Sequence, residues 1–88
     1  MNELRQLPNL GPALTRELVA AGVDSPARLH ALGAAAAWER VRKVNAERDC
    51  ASSLLALEGA LRGVRWTQID QSERDRISAY ARARRLAR

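Results

Sequence analysis

The sequence predicts an all-α fold, a compact bundle of about five short helices with a helix-hairpin-helix-like turn at its N-terminus. Three observations carry this. Strong helix formers, chiefly leucine, alanine and arginine, dominate the 88 residues, and β-branched residues are scarce. Apolar residues recur at helical spacing in short segments. Those segments are bounded by proline, glycine, aspartate or asparagine where helix caps fall. A chain of this length makes one domain, residues 1–88, and can bury about 60–65 % of its extended surface. The core it builds is one of leucine and alanine, because there is no phenylalanine and only Trp38, Trp66 and Tyr80 supply aromatic bulk.

The first helix starts near Pro12, after the turn Pro8-Asn9-Leu10-Gly11, since proline is favoured at a first helical position. Leu14, Leu18 and Ala21 share its inner face, Gly22 ends it, and Val23 turns inward as a hydrophobic stop. The second helix is short: Asp24 or Ser25 caps it, Pro26 sits in its first turn, Leu29 and Leu32 point to the core, and Gly33 breaks it. The third runs from Ala34 to about Val44 with Trp38, Val41 and Val44 as its buried edge. A loop around residues 45 to 48 leads to Asp49, the expected cap of the fourth helix.

The fourth helix carries the most informative run of the chain, LLALEGALRGVRW at residues 54 to 66. Leu54, Leu57, Leu61 and Val64 line one face. Gly59 and Gly63, one turn apart, stand where alanine would favour the helix by about 1 kcal/mol each. Their placement reads as a tightly packed internal helix that another backbone approaches, with Gly63 also fitting a left-handed C-cap and Trp66 following as an anchor outside the helix. Glu58, among leucines, is expected to pair with Arg62 or with a neighbouring helix N-terminus. The fifth helix begins with Asp70 and Glu73 as a capping box behind a stapling Ile69. Its inner face is Ile77, Tyr80 and either Ala83 or Ala87, and residues 84–88 are expected to fray. The core expected from the whole chain is thus Leu10, Leu14, Leu18, Trp38, Leu54, Leu57, Gly59, Leu61, Gly63, Trp66, Ile77 and Tyr80.

The LEGALRG run, together with LPNLGP at residues 7 to 12, resembles the C-terminal domain of TfoX/Sxy-type proteins, bacterial regulators of DNA-uptake competence. The resemblance spans roughly residues 4 to 80 and implies an all-helical module with a role linked to competence, DNA transformation and transcription regulation. In two-domain members another domain precedes this one. Here the module is expected to stand alone, and nothing that other domain contributes carries over.

Charge points to the partner. The net charge is +5, the pI is near 11, and fourteen of the fifteen basic residues are arginine, Lys43 being the exception. Arginine's planar fork of donors suits phosphate and carboxylate, while a GC-rich genome produces the same bias with no partner at all. Residues 76 to 88 hold five arginines and no acidic residue, so they equal the whole net charge. Taking about 100° per residue from Arg74, Arg85 falls at about 20°, Arg82 at about 80° and Arg88 at about −40°, with Ile77 and Tyr80 on the other side. Such a tail reads as a nucleic-acid or acidic-protein contact. The alternative is a set of cations that complement the helix dipole and keep the chain soluble.

The turn LPNLGP also resembles the hairpin of helix-hairpin-helix modules, whose backbone N–H groups grip a phosphate at a helix N-terminus. Asn9 and Gly11 are the candidate residues. Asn9 replaces a glycine, Pro12 has no N–H to give, and Ala13 stands where a lysine is common, so a purely structural turn competes with phosphate binding. A further basic set, Arg40, Arg42, Lys43, Arg62 and Arg65, either joins that surface or is neutralised by Glu39, Glu47 and Glu58.

Catalytic chemistry is not written in the chain. Cys50, the single cysteine, excludes an intramolecular disulfide and suits a reducing cytoplasm. It also sits at a helix N-terminus, where a thiol is activated, yet it reads more simply as a small core residue. His30 is expected on the solvent side. One cysteine and one histidine make no zinc site, no phosphate or dinucleotide loop is present, and no cofactor is implied. There is no secretory leader and no membrane-length apolar run, so a soluble cytoplasmic protein is expected. The function expected is a non-enzymatic regulatory module that binds DNA weakly and non-specifically. The alternative is a protein-interaction module, homodimeric or bound to an acidic protein.

Overall fold

A computed structural model describes residues 3–86 of the chain. A 3₁₀ turn, Glu3–Gln6, leads through the hairpin into α1, Pro12–Ala20. Then come α2, Pro26–Leu32, and α3, Ala34–Val44. A second 3₁₀ turn, Ala46–Arg48, precedes α4, Ala51–Arg62. A third, Trp66–Gln68, precedes α5, Gln71–Leu86. No strand occurs among the described residues. The fold is the expected all-α bundle. Its hub is α3, which packs on α1, α2 and α4, and α5 lies along α4 and also reaches α3.

Local chemistry accounts for most boundaries. Pro12 and Pro26 open α1 and α2, and the Ser25 hydroxyl caps α2 by accepting the Arg28 N–H at 3.1 Å. Gly22 (φ +87°) and Gly63 (φ +71°) take the left-handed backbone that ends α1 and α4. In each case the next residue's N–H reaches back to the helix, Val23 to Leu18 and Val64 to Gly59. The Asp70 carbonyl accepts the first helical bond of α5, from Arg74 at 2.9 Å.

The core is Leu4, Leu10, Leu14, Leu18, Val23, Leu29, Trp38, Val41, Leu54 and Leu57, joined by Ala34, Ala37, Ala60 and Ala81. Trp38 is its largest member and is fully enclosed. Its indole N–H is shared between the Arg48 carbonyl (2.9 Å) and Ser53 Oγ (3.1 Å), so the one polar atom of the ring is satisfied inside. Gly59 is buried, while Leu61 and Ile77 are half-buried against this core.

Several expectations are corrected. Trp66 and Tyr80 are each 42 % exposed and belong to the surface. Trp66 opens a 3₁₀ turn beyond α4, and its ring lies under the Arg74 guanidinium, 5.9 Å from carbon to centroid. Tyr80 only leans on Trp38, with ring centroids 6.2 Å apart. The inner line of α5 runs through Ile77 and Ala81 because the small Ala81, 1 % exposed, lets the helix approach the bundle closely; Ala83 faces solvent. Gly63 is exposed, as its role is to end α4 rather than to fill the core. Val44 is 46 % exposed at the last turn of α3.

Two caps differ as well. Asp49 has a near-helical backbone (φ −81°, ψ 9°), so Cys50, which is extended (φ −82°, ψ 155°), takes the N-cap position of α4. The Glu73 carboxylate turns to Arg62 at 2.7 Å instead of back to its own helix start. Finally, α5 stays helical through Leu86, anchored by an ion pair from Arg84 to Glu39 on α3 at 2.7 Å. Ala87 and Arg88 lie outside the described residues.

Candidate nucleic-acid interface

The arginines fall into two groups according to what lies beside them. Arg28 meets Asp24, Arg42 meets Glu39, Arg48 meets Glu17, Arg62 bridges Glu58 and Glu73, and Arg84 meets Glu39. The Glu58–Arg62 pair is the i,i+4 contact expected from the sequence, and Arg62 extends it to α5. These bonds hold the Arg62 and Arg84 guanidiniums even more firmly protonated than usual, first through the hydrogen bond each donates, to Glu73 and to Glu39 respectively. Arg42 also lies over the Trp38 ring at 4.6 Å.

The second group faces no carboxylate at ion-pair distance among the described residues: Arg5, Arg16, Arg40, Lys43, Arg65, Arg76, Arg82 and Arg85. All are exposed. Arg82 and Arg85 stand one turn apart near the end of α5, about 60° apart around its axis. Arg76 lies further round the same helix. Arg88, the fourth arginine expected on this face, is outside the described residues.

Arg74, by contrast, is not a free cation. It is half-buried, donates to Gln71 Oε1 at 2.7 Å, lies across Trp66 and keeps its Nε enclosed without a partner. Sequence reasoning placed it with Arg82 and Arg85 because the wheel angles agree. The exposed Trp66, arriving from another turn, captures it instead.

The hairpin divides in the same way. Asn9 has the positive φ (72°) of the glycine it replaces. Its side chain, however, is fully engaged: Nδ2 donates to the Val64 carbonyl at 2.9 Å and reaches the Ala56 carbonyl at 3.4 Å, while Oδ1 accepts the Trp66 N–H at 3.1 Å. Asn9 is therefore a clasp between the hairpin and the end of α4. Gly11 is exposed and forms the N-cap of α1 with no side-chain cap. The first turns of α1 and α4 both open into a shallow pocket of about 320 Å³ lined by Gly11, Ala13, Arg48, Cys50 and Ser52. Two helix dipoles thus present their positive ends there.

Cys50 is half-buried in that pocket. Burial raises its thiol pKa, but the Ser53 hydroxyl and the backbone N–H groups around it prevail and hold it below the ordinary cysteine value. His30 is exposed. No group of three or more metal-ligating side chains occurs among the described residues, and no described helix is long and apolar enough to cross a membrane.

What the structure defines is a small helical domain with its chemistry on the surface, in unpaired arginines and a hairpin. A family model described as the TfoX C-terminal domain matches residues 1–81, and the chain belongs to that family. Membership suggests a competence-related regulatory domain. Two crystal structures from Listeria monocytogenes share the fold. A triclinic form of an uncharacterized protein is 32 % identical, covering 91 % of this chain and 90 % of that one, with a TM-score of 0.85. A tetragonal form of a protein of unknown function is 33 % identical, covering 92 % and 98 %, also with a TM-score of 0.85. No curated protein matches the chain.

Proposed function

We propose that this domain is a non-enzymatic, cytoplasmic regulatory module of the competence system that binds nucleic acid weakly and without base specificity, through the exposed arginines near the end of α5. The observation that carries this reading is the exposure of Arg82 and Arg85, one turn apart and with no carboxylate at ion-pair distance among the described residues, on a helix where Arg84 alone is so paired. Arginines left in this state match phosphate oxygens well. No second side chain fixes the fork of Arg82 or Arg85, and Gln71, the amide on this helix that could read a base, is engaged by Arg74 and Asp75. Such groups hold the backbone and leave base edges unread. Gly11 and the N-terminus of α1 offer a secondary phosphate contact.

The test is anisotropy of a labelled mixed-sequence duplex titrated at several salt concentrations. Affinity in the range of about 10⁻⁶ to 10⁻⁴ M is expected at moderate salt. The slope of log affinity against log salt falls in magnitude by about 1.8 in Arg82→Ala/Arg85→Ala, one phosphate for each arginine. Arg74→Ala, which removes a packing group, leaves the slope where it was. Binding that ignores salt, or that the double variant does not weaken, sinks the proposal.

A further inference from the structure

A second surface lies away from the α5 arginines. Between the first 3₁₀ turn, the outer face of α1 and the end of α3 runs an open groove of about 650 Å³. That volume falls within the range of about 300–1,000 Å³ typical of ligand clefts. Its walls include Pro12, Val19 and Val44, and the two valines are 42 % and 46 % exposed. Single exposed apolar side chains are ordinary, but here two from different helices line one concavity.

The polar atoms in the groove are unevenly satisfied. Glu17 lines it, yet its carboxylate is taken by Arg48 (2.6 Å) and Asn45 (2.8 Å). Arg5 and Arg16, which also line it, have no carboxylate at ion-pair distance among the described residues. Thr15 is 5 % exposed, and its hydroxyl has no hydrogen-bond partner among the described residues. A buried hydroxyl without a partner costs stability, and a valine of the same shape would avoid the cost.

We infer that this groove is the docking site for an acidic amphipathic helix of a partner protein, whose apolar side chains sit on Val19 and Val44 and whose carboxylates meet Arg5 and Arg16. Charge selects this occupant. A second copy of the chain is a poor fit, because the exposed large apolar residues it would insert, those outside the groove, stand among arginines: Trp66 beside Arg65 and Arg74, Tyr80 beside Arg84, Leu86 beside Arg85. Nucleic acid would match the two arginines and leave the apolar walls uncovered. The nine residues of α1 give a track about 13 Å long, enough for anchors at i, i+3 or i+4, and i+7 of a partner helix.

The probe is a displayed library of random peptides, roughly 12–15 residues long, the length at which isolated helices become marginal. It is selected on the intact chain and on Val19→Glu, a substitution at an exposed site. Enriched peptides are expected to carry apolar residues at the anchor spacing flanked by Asp and Glu, and to bind Val19→Glu at least tenfold more weakly. Arg16→Glu should shift the enrichment towards Lys and Arg. Amide shifts on peptide addition should centre on Thr15, Val19 and Val44.

Enrichment indifferent to Val19→Glu, or peptides of basic character, would overturn the inference. So would a wild-type dimer in sedimentation that Val19→Glu makes monomeric, or a DNA duplex whose shifts centre on Thr15 and Val19. Because the duplex proposal is read at Arg82 and Arg85, either proposal can fail while the other stands.

Discussion

The amide of Asn9 is seated over Gly59, and the seat exists only because Gly59 has no side chain. A Cβ at Gly59 would collide with Asn9 Nδ2 and stand 2.8 Å from the Val64 carbonyl. Helix propensity alone favours Gly59→Ala by about 1 kcal/mol. The collision reverses this, and the expected result is a net loss of about 1–3 kcal/mol in urea unfolding. Asn9→Gly keeps the left-handed backbone and removes the three side-chain contacts, so it too should destabilise, by about 1–3 kcal/mol. The two effects should not add, since both act on one contact. An unchanged or raised midpoint for Gly59→Ala would contradict this geometry.

This relationship also marks how far the sequence could be read. The paired glycines pointed to a close approach on one face of α4, and the hairpin was visible as a turn. That the approaching group is the Asn9 side chain, 55 residues from Val64, is a tertiary fact that no local pattern encodes. Caps were legible for the same reason in reverse: Pro12, Ser25 and Gly63 act on their own backbone. The inner face of α5 was read one line off, because Tyr80 carries the larger apolar surface while the small Ala81 permits the closer packing. Arg74 could not be separated from Arg82 by angle, since only the arrival of Trp66 distinguishes them. The groove beside α1 gave no signal, its walls being contributed by three elements.

Thr15→Val should raise stability by about 1 kcal/mol, because it removes a buried hydroxyl that has no partner and keeps the branched shape. Thermal or urea unfolding checks this. Should the variant prove less stable than wild type, Thr15 would have to hold a hydrogen bond in solution, through a bound water for instance.

Glu17 gives the fold an acid-sensitive joint. Burial pushes its pKa up, but the hydrogen bonds from Asn45 and Arg48 and the charges of Arg48 and Arg16 outweigh it, leaving the carboxyl below its ordinary value. A depressed folded-state pKa contributes stability above the unfolded value, near 4.5, and that contribution fades as pH falls through the folded value. Glu17→Gln should therefore lower stability at pH 7 and flatten the stability profile below about pH 4.5. Parallel acid profiles for the two proteins would argue that the carboxylate has no role there.

The Cys50 thiol should be alkylated with a pH midpoint below that of an ordinary exposed cysteine. Ser53→Ala removes a hydroxyl that lies 3.5 Å from the sulfur and also receives the Trp38 N–H. It should move the midpoint upward and lower stability by about 1–3 kcal/mol. A midpoint that stays in place would show that the backbone N–H groups alone set the thiol.

The two tryptophans lie in unlike settings, Trp38 sealed in the hub of the bundle and Trp66 half open under Arg74. The Trp38 indole N–H is held by acceptors ten and fifteen residues away, whereas the Trp66 backbone is held by Asn9 across 57 residues. Closing a chain over the longer separation costs more entropy, so the two rings report contacts of different range. In refolding traces, a variant that keeps only Trp38 follows the meeting of α3 and α4. One that keeps only Trp66 follows the fastening of the N-terminal hairpin onto the rest of the chain.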